Sequence, residues 1–134
     1  MKLEGVEWFE RPKPGSTGTR VIPPTLGICK QGLYLNRTAT TDIGEDKRWV
    51  VLGWEEKEQS IVMWFWKDKG DSKIQENKFY ALTRYPKSGI VRISSRAFII
   101  RHDLVARAKK LGRVSFRFRP HPDQRDMFLA SLNV

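Results

Sequence analysis

The chain has 134 residues, 40% hydrophobic and 30% charged, the profile of one soluble globular domain with room for a core. No apolar run approaches 18 residues and "MKLEGVEWFERP" has no apolar core, so neither a membrane span nor a signal peptide is expected. The lone Cys29, with only His102 and His121 beside it, argues against an internal disulfide and a structural zinc site. The expected setting is intracellular, in the cytoplasm, with a nucleoid or viral context left open, and no cofactor is called for.

The net charge is +10, and its distribution carries more information than its size. Residues 1–77 hold 12 Lys/Arg against 12 Asp/Glu, whereas residues 78–119 hold 12 Lys/Arg against Asp103 alone. Concentrated positive charge repels itself and is easier to understand with a polyanion against it.

In chain order, residues 1–20 read as a flexible N-terminal arm. "RPKPGSTGTR" is loop chemistry, and Trp8 and Phe9 are candidates to anchor the arm on the body. Residues 21–134 then read as a single compact domain. "TLGICKQGLYLN" predicts two short strands about Gln31–Gly32. "NRTATTDIG" predicts a short, weak helix capped by Asn36 and stopped at Gly44. "RWVVLGW", "EEKEQ" and "SIVMWFWK" predict a hairpin with a charged loop. Positions 61–66 are apolar without alternation, which predicts a strand covered on both faces, with Trp64 and Trp66 largely buried.

Residues 68–77 form a polar connector, and a similar order follows. "KFYALTRYPKSGIVRIS" predicts two strands about Pro86–Gly89. "SSRAFIIRHDLVARAKKLG" predicts one clear helix, about 95–111, capped by Ser94 or Ser95 and ended by Gly112, with Ala97, Ile100, Leu104, Ala108 and Leu111 as its apolar stripe. "RVSFRFR" predicts a strand, "HPDQ" a turn, and "RDMFLASL" a closing strand or short helix. The expected fold is therefore α+β, mostly antiparallel β-sheet or a small barrel, with an internal β-β-α-β-β repeat over 25–67 and 78–132.

The period of two puts Arg113, Arg117 and Arg119 on one face of "RVSFRFR", opposite Val114, Phe116 and Phe118. Arg92 in "IVRIS" and Arg84 in "YALTRY" follow the same alternation, so Arg84, Arg92, Arg113, Arg117 and Arg119 are expected on one sheet surface, with Lys87 in the turn beside them. Arginine suits this work because its planar fork reaches two phosphate oxygens and stacks on bases. The bland alternative is that these arginines pair with acids on neighbouring strands. The helix adds Arg96 and Arg101, whereas Arg107, Lys109 and Lys110 near its C-terminus also suit the helix dipole. Trp54, Tyr80 and Tyr85 sit near polar residues and are the candidate base-stacking aromatics, with Trp54 or Tyr85 expected to be partly exposed.

Segment 27–65, "GICKQGLYLNRTATTDIGEDKRWVVLGWEEKEQSIVMWF", resembles the swapped-hairpin (AbrB/MazE-like) DNA-binding domains. Gly32, Leu33, Leu35, Ile43 and Gly44 fall at suitable spacing, and Gly89, Val91 and Ile93 open the second unit in the same way. The sequence departs from that pattern in having Asn36 and Ser94 where a proline usually follows the second strand, and in the length of its second helix. The resemblance implies two units in one chain, like an intertwined dimer fused into a monomer, acting on duplex DNA.

Together these features point to a nucleic-acid-binding protein, DNA ahead of RNA, using Arg84, Lys87, Arg92, Arg96, Arg101, Arg113, Arg117, Arg119, Trp54 and Tyr85. Two alternatives stay open. One is an adaptor or accessory subunit that meets an acidic protein partner, or a homodimer; the other is a small nuclease using His102 or His121.

Overall fold

A computed structural model describes residues 22–69 and 78–133. The proposed arm lies outside the described residues, as does most of the connector. The elements are β1 (Thr25–Cys29), β2 (Gly32–Leu35), α1 (Arg37–Ile43), β3 (Trp49–Glu55), β4 (Ser60–Trp66), β5 (Phe79–Tyr85), β6 (Ile90–Ser94), α2 (Arg96–Arg101), α3 (Leu104–Leu111), β7 (Ser115–Pro120) and β8 (Met127–Ser131). The strands close into one antiparallel barrel in the order β1-β2-β6-β5-β3-β4-β8-β7. Closure removes the unpaired edges that an open sheet of these apolar strands would offer to other chains.

An eight-stranded barrel is just wide enough for side chains to fill. Leu26, Leu33, Leu35, Val50, Ile61, Met63, Val91, Ile93, Phe116 and Ala130 point inward with no exposed surface. Phe65, Phe118 and Phe128 form an aromatic centre, with Phe118 stacked on Phe128 at 4.6 Å and Phe65 edge-on to both. Tyr34 lies flat across Gly27 on the outside; any side chain at 27 would run into its ring.

Within the first half, the β1–β2 hairpin never pairs with the β3–β4 hairpin. Each of the four hairpins is flanked on both sides by hairpins of the other half. Exchanging β1–β4 with β5–β8 leaves the list of neighbouring strands unchanged. The registers agree as well, superposing Leu26 on Leu82, Leu35 on Ile93, Val50 on Phe118 and Phe65 on Ala130. Helix α1 follows β2, and α2 follows β6. Because β2 and β6 are antiparallel, the helices cap opposite ends of the barrel.

Local signals explain α1 well. The Asn36 side chain accepts from Ala39 N at 2.9 Å and from Thr25 N at 3.1 Å, so one amide oxygen caps the helix and ties it to β1. Ala39 and Ile43 are the buried side of its single apolar face.

The second helical segment differs from its prediction. It breaks at His102–Asp103, where Asp103 adopts a left-handed φ of 52°. The break turns the chain, so the buried residues are Phe98 and Ile99 in α2 and Leu104 and Ala108 in α3, while Ile100 is 65% exposed and Leu111 39%. A straight helix would have buried the 97-100-104-108-111 stripe; two short helices bury a different set. Ser95 occupies the N-cap position without a side-chain cap, because its hydroxyl donates to Ile93 O. Gly112, at φ 70°, ends α3 in the left-handed conformation that glycine takes without strain.

Two further expectations are corrected. Val114 is 59% exposed and precedes β7, so the buried side of that strand is Phe116 and Phe118 alone. The apolar run 61–66 is not covered on both faces. Ile61, Met63 and Phe65 fill the barrel, while Val62, Trp64 and Trp66 lie half-buried on its outside. There they join Trp49 and Phe79, with Trp64 and Trp66 at 4.5 Å and Trp66 edge-on to Phe79 at 6.1 Å.

Candidate nucleic-acid interface

The predicted site residues divide among three regions. At the α1 end, Arg84, Tyr85 and Lys87 belong to the β5–β6 hairpin, whose tip packs beside Arg37, Thr40 and Thr41. Tyr85 is 43% exposed and Lys87 is exposed. Arg84 is committed elsewhere: its Nη2 donates to Gly44 O at 2.9 Å and Lys47 O at 2.7 Å. It shares the inward-facing side of β5 with Leu82 and, at the barrel rim, satisfies the carbonyl of the α1 cap, Gly44, and one in the loop to β3, Lys47. It therefore does not join the outer sheet surface assigned to it.

On the outer surface, Arg92 of β6 stands beside Tyr34 of β2, and Arg117 of β7 stands beside Thr25 of β1. Arg117 and Arg119 are exposed and alternate with buried Phe116 and Phe118, as the period of two requires. Arg119 lines a hollow also lined by Glu55 and Glu58 without an ion pair to either.

At the other end, α2 and α3 present exposed Arg96, Arg101, Lys109 and Lys110. Arg113 also belongs here rather than to the sheet. It precedes β7, its N–H donates to Ala108 O at 3.0 Å, and its guanidinium lies 5.5 Å from the Phe116 ring. Trp54 is half-buried and already occupied. Its ring stacks on His102 at 5.3 Å, Arg107 lies 5.0 Å from its centre, and its Nε1–H donates to Glu56 at 2.7 Å.

A cleft of about 500 Å3 opens at this end, beyond the last β3–β5 pair, Val51 with Phe79. Trp54, Phe98 and His102 form one wall, His102 lying between the two larger rings at 5.3 and 4.8 Å. Tyr80 lines the cleft too, and Lys78 and Arg101 bring charge to it. The sequence pointed to Trp54, Tyr80 and Arg101, and to His102 only as a nuclease candidate; Phe98 was missed, and His102 was not expected against Trp54, because a continuous helix would not have turned both rings onto β3. Burial pushes the His102 imidazole below its usual value, and the cations Arg101 and Arg107 push the same way against Glu56.

The two ion pairs among the described residues are both made by Lys47, to Asp46 and to Asp126. None of the 12 cations in residues 78–119 has a carboxylate within 4.0 Å among the described residues. The strand-to-strand pairing that would have given these arginines a purely structural role is therefore missing. His121, in the β7–β8 turn, accepts from Asp123 N through Nδ1 at 3.1 Å, far along the chain and at a different turn from His102. Among the described residues no three His, Cys, Asp or Glu side chains cluster as metal ligands, and no helix is long and apolar enough to cross a membrane.

Comparison of the chain with protein-family models, curated proteins and solved structures found no match.

Proposed function

We propose that the protein binds nucleic acid, DNA ahead of RNA, through the cations of residues 78–119. The observation that carries this reading is that these 12 Lys and Arg find no carboxylate partner among the described residues. Uncompensated charge at this density is destabilising by itself and is offset when phosphates replace the missing acids. Superposing the registers supports the same reading: Arg117 and Arg119 fall where the first half has Trp49 and Val51. The barrel accepts apolar residues at those positions, so folding alone does not call for arginine.

The hairpin arrangement supports a finer reading of the chain as two β-β-α-β-β units, 25–67 and 78–132, intertwined as the swapped-hairpin resemblance implies. Each hairpin's edges are met only by the other half, which is how two identical chains would interlock. Fold likeness does not carry function, and the binding proposal stands on the cations.

The test is the salt dependence of binding to single-stranded DNA, duplex DNA and RNA. Each neutralised phosphate contributes about −0.9 to the slope of log K against log salt on duplex and about −0.7 on single strands, so roughly five contacts give a slope of about −3 to −5. Arg117→Gln with Arg119→Gln should reduce its magnitude by about one to two and leave melting unchanged. An unchanged slope would reduce these arginines to an outer face.

A second reading has its own observation. Ile100, Leu111 and Val114 are exposed, each next in sequence to a cation, Arg101, Lys110 and Arg113, a mixture of apolar and cationic residues of the kind that protein interfaces use. On that reading the partner is an acidic protein, and free DNA and RNA would neither bind nor compete.

A further inference from the structure

We propose that the cleft beyond the β3–β5 ladder takes a single unpaired nucleobase, so that the protein grips single-stranded or locally opened DNA there; this rests on the nucleic-acid reading above. The cleft, at about 500 Å3, lies in the range of small-ligand sites, and four of its nine lining residues carry rings. Trp54 is already stacked on His102, Phe98 is tilted against the other side of that imidazole, and the three form one preassembled wall. Tyr80 is different. It is half-buried against the core and makes no contact with another aromatic ring, and its hydroxyl makes no hydrogen bond among the described residues, which leaves a donor–acceptor group for an incoming base.

Charge accompanies the rings. Lys78 and Arg101 line the cleft, are exposed, and have no carboxylate partner among the described residues, which suits them to the phosphates flanking an inserted base. Small residues keep the space open. Ala97 is exposed on α2, and a side-chain carbon added at Gly53 would meet only Val62, at an ordinary 3.7 Å, so packing does not demand a glycine there. A paired base inside a duplex cannot enter a cleft of this kind, so the ligand is a base already unpaired or one swung out of the stack.

Filling the cleft tests the proposal. Ala97→Trp adds an indole at an exposed helical position, and the salt slope and duplex affinity report separately on the arginines. Oligonucleotides carrying 2-aminopurine, single-stranded and in perfect duplex, give affinity and stacking in one fluorescence titration at fixed salt. The expected result is a loss of about 5- to 100-fold in single-strand affinity and loss of quenching for Ala97→Trp, with duplex affinity and salt slope unchanged. Wild-type single-strand affinity and quenching in a folded Ala97→Trp protein would overturn the cleft while leaving the nucleic-acid reading intact. Failure of the wild-type protein to bind either DNA would remove both. Should Ala97→Trp not fold, Tyr80→Phe decides: weaker binding of one base over the other three supports the cleft, and equal binding of all four to both proteins overturns it.

Discussion

The two halves of the barrel make the same contacts with different side chains. In the first half a helix of seven residues, α1, closes its end with a single capping amide. The second half puts two helices, a left-handed break and six of its own cations into the corresponding stretch. The same contrast runs through the strands. β3 and β7 share inward positions, Val50 with Phe118, but outward they carry Trp49 and Val51 against Arg117 and Arg119. Where two stretches meet the same folding requirement, the residues in which they differ are the ones folding does not dictate. By that test the first half is scaffold with an aromatic outer surface, and the second half is scaffold plus charge.

Deleting an inward residue of β7 should give the largest effect. Phe116 has no exposed surface, and Phe116→Ala should cost about 3–5 kcal/mol, read from denaturant midpoints, with no change in salt slope for the protein that remains folded. A small cost would mean that β7 does not contribute to the core as β3 does.

Arg84 sharpens the comparison from the other side. It is a second-half cation whose charge serves the first half, through Gly44 O and Lys47 O. Arg84→Ala should therefore cost about 1.5–3 kcal/mol of stability, as hydrogen bonds to charged groups do, and barely move the salt slope of nucleic-acid binding. A large change of slope with little loss of stability would place Arg84 back among the phosphate-binding arginines.

Much of this was legible in the sequence, and for identifiable reasons. Strand order along the chain followed from short β-branched runs between turn residues, and α1 from Asn36 and Gly44. The alternation of "RVSFRFR" gave the two faces of β7 once Val114 is set aside. What stayed hidden depends on closure and on distant neighbours. Val62, Trp64 and Trp66 look like a doubly covered strand because outer apolar residues and inner ones are indistinguishable in a single strand. Arg84 looks like an outer residue until the barrel rim brings Gly44 and Lys47 to it. The break at Asp103 has no glycine or proline to announce it. At the break Phe98 lies against His102, and His102 stacks on Trp54, a residue distant in the chain.

That last contact between the halves should leave the smallest signature, a pH dependence. His102 sits against Trp54 and Phe98, its backbone carbonyl accepts from Arg107 Nε at 2.9 Å, and Arg101, Arg107 and Glu56 are the charges that act on it. Burial and the two arginines hold the folded-state pKa below the value near 6.5 that an unfolded chain has. Between those two values the unfolded chain binds more protons than the folded one, so stability rises with pH across that window. Above it both states are neutral and His102 contributes no slope. Melting temperature should therefore fall as pH drops from about 7.5 through the window below 6.5. His102→Gln should remove that part of the fall while retaining a planar polar group against Trp54. If wild type and His102→Gln lose stability in parallel on acidification, the imidazole is not held neutral by its place between the halves.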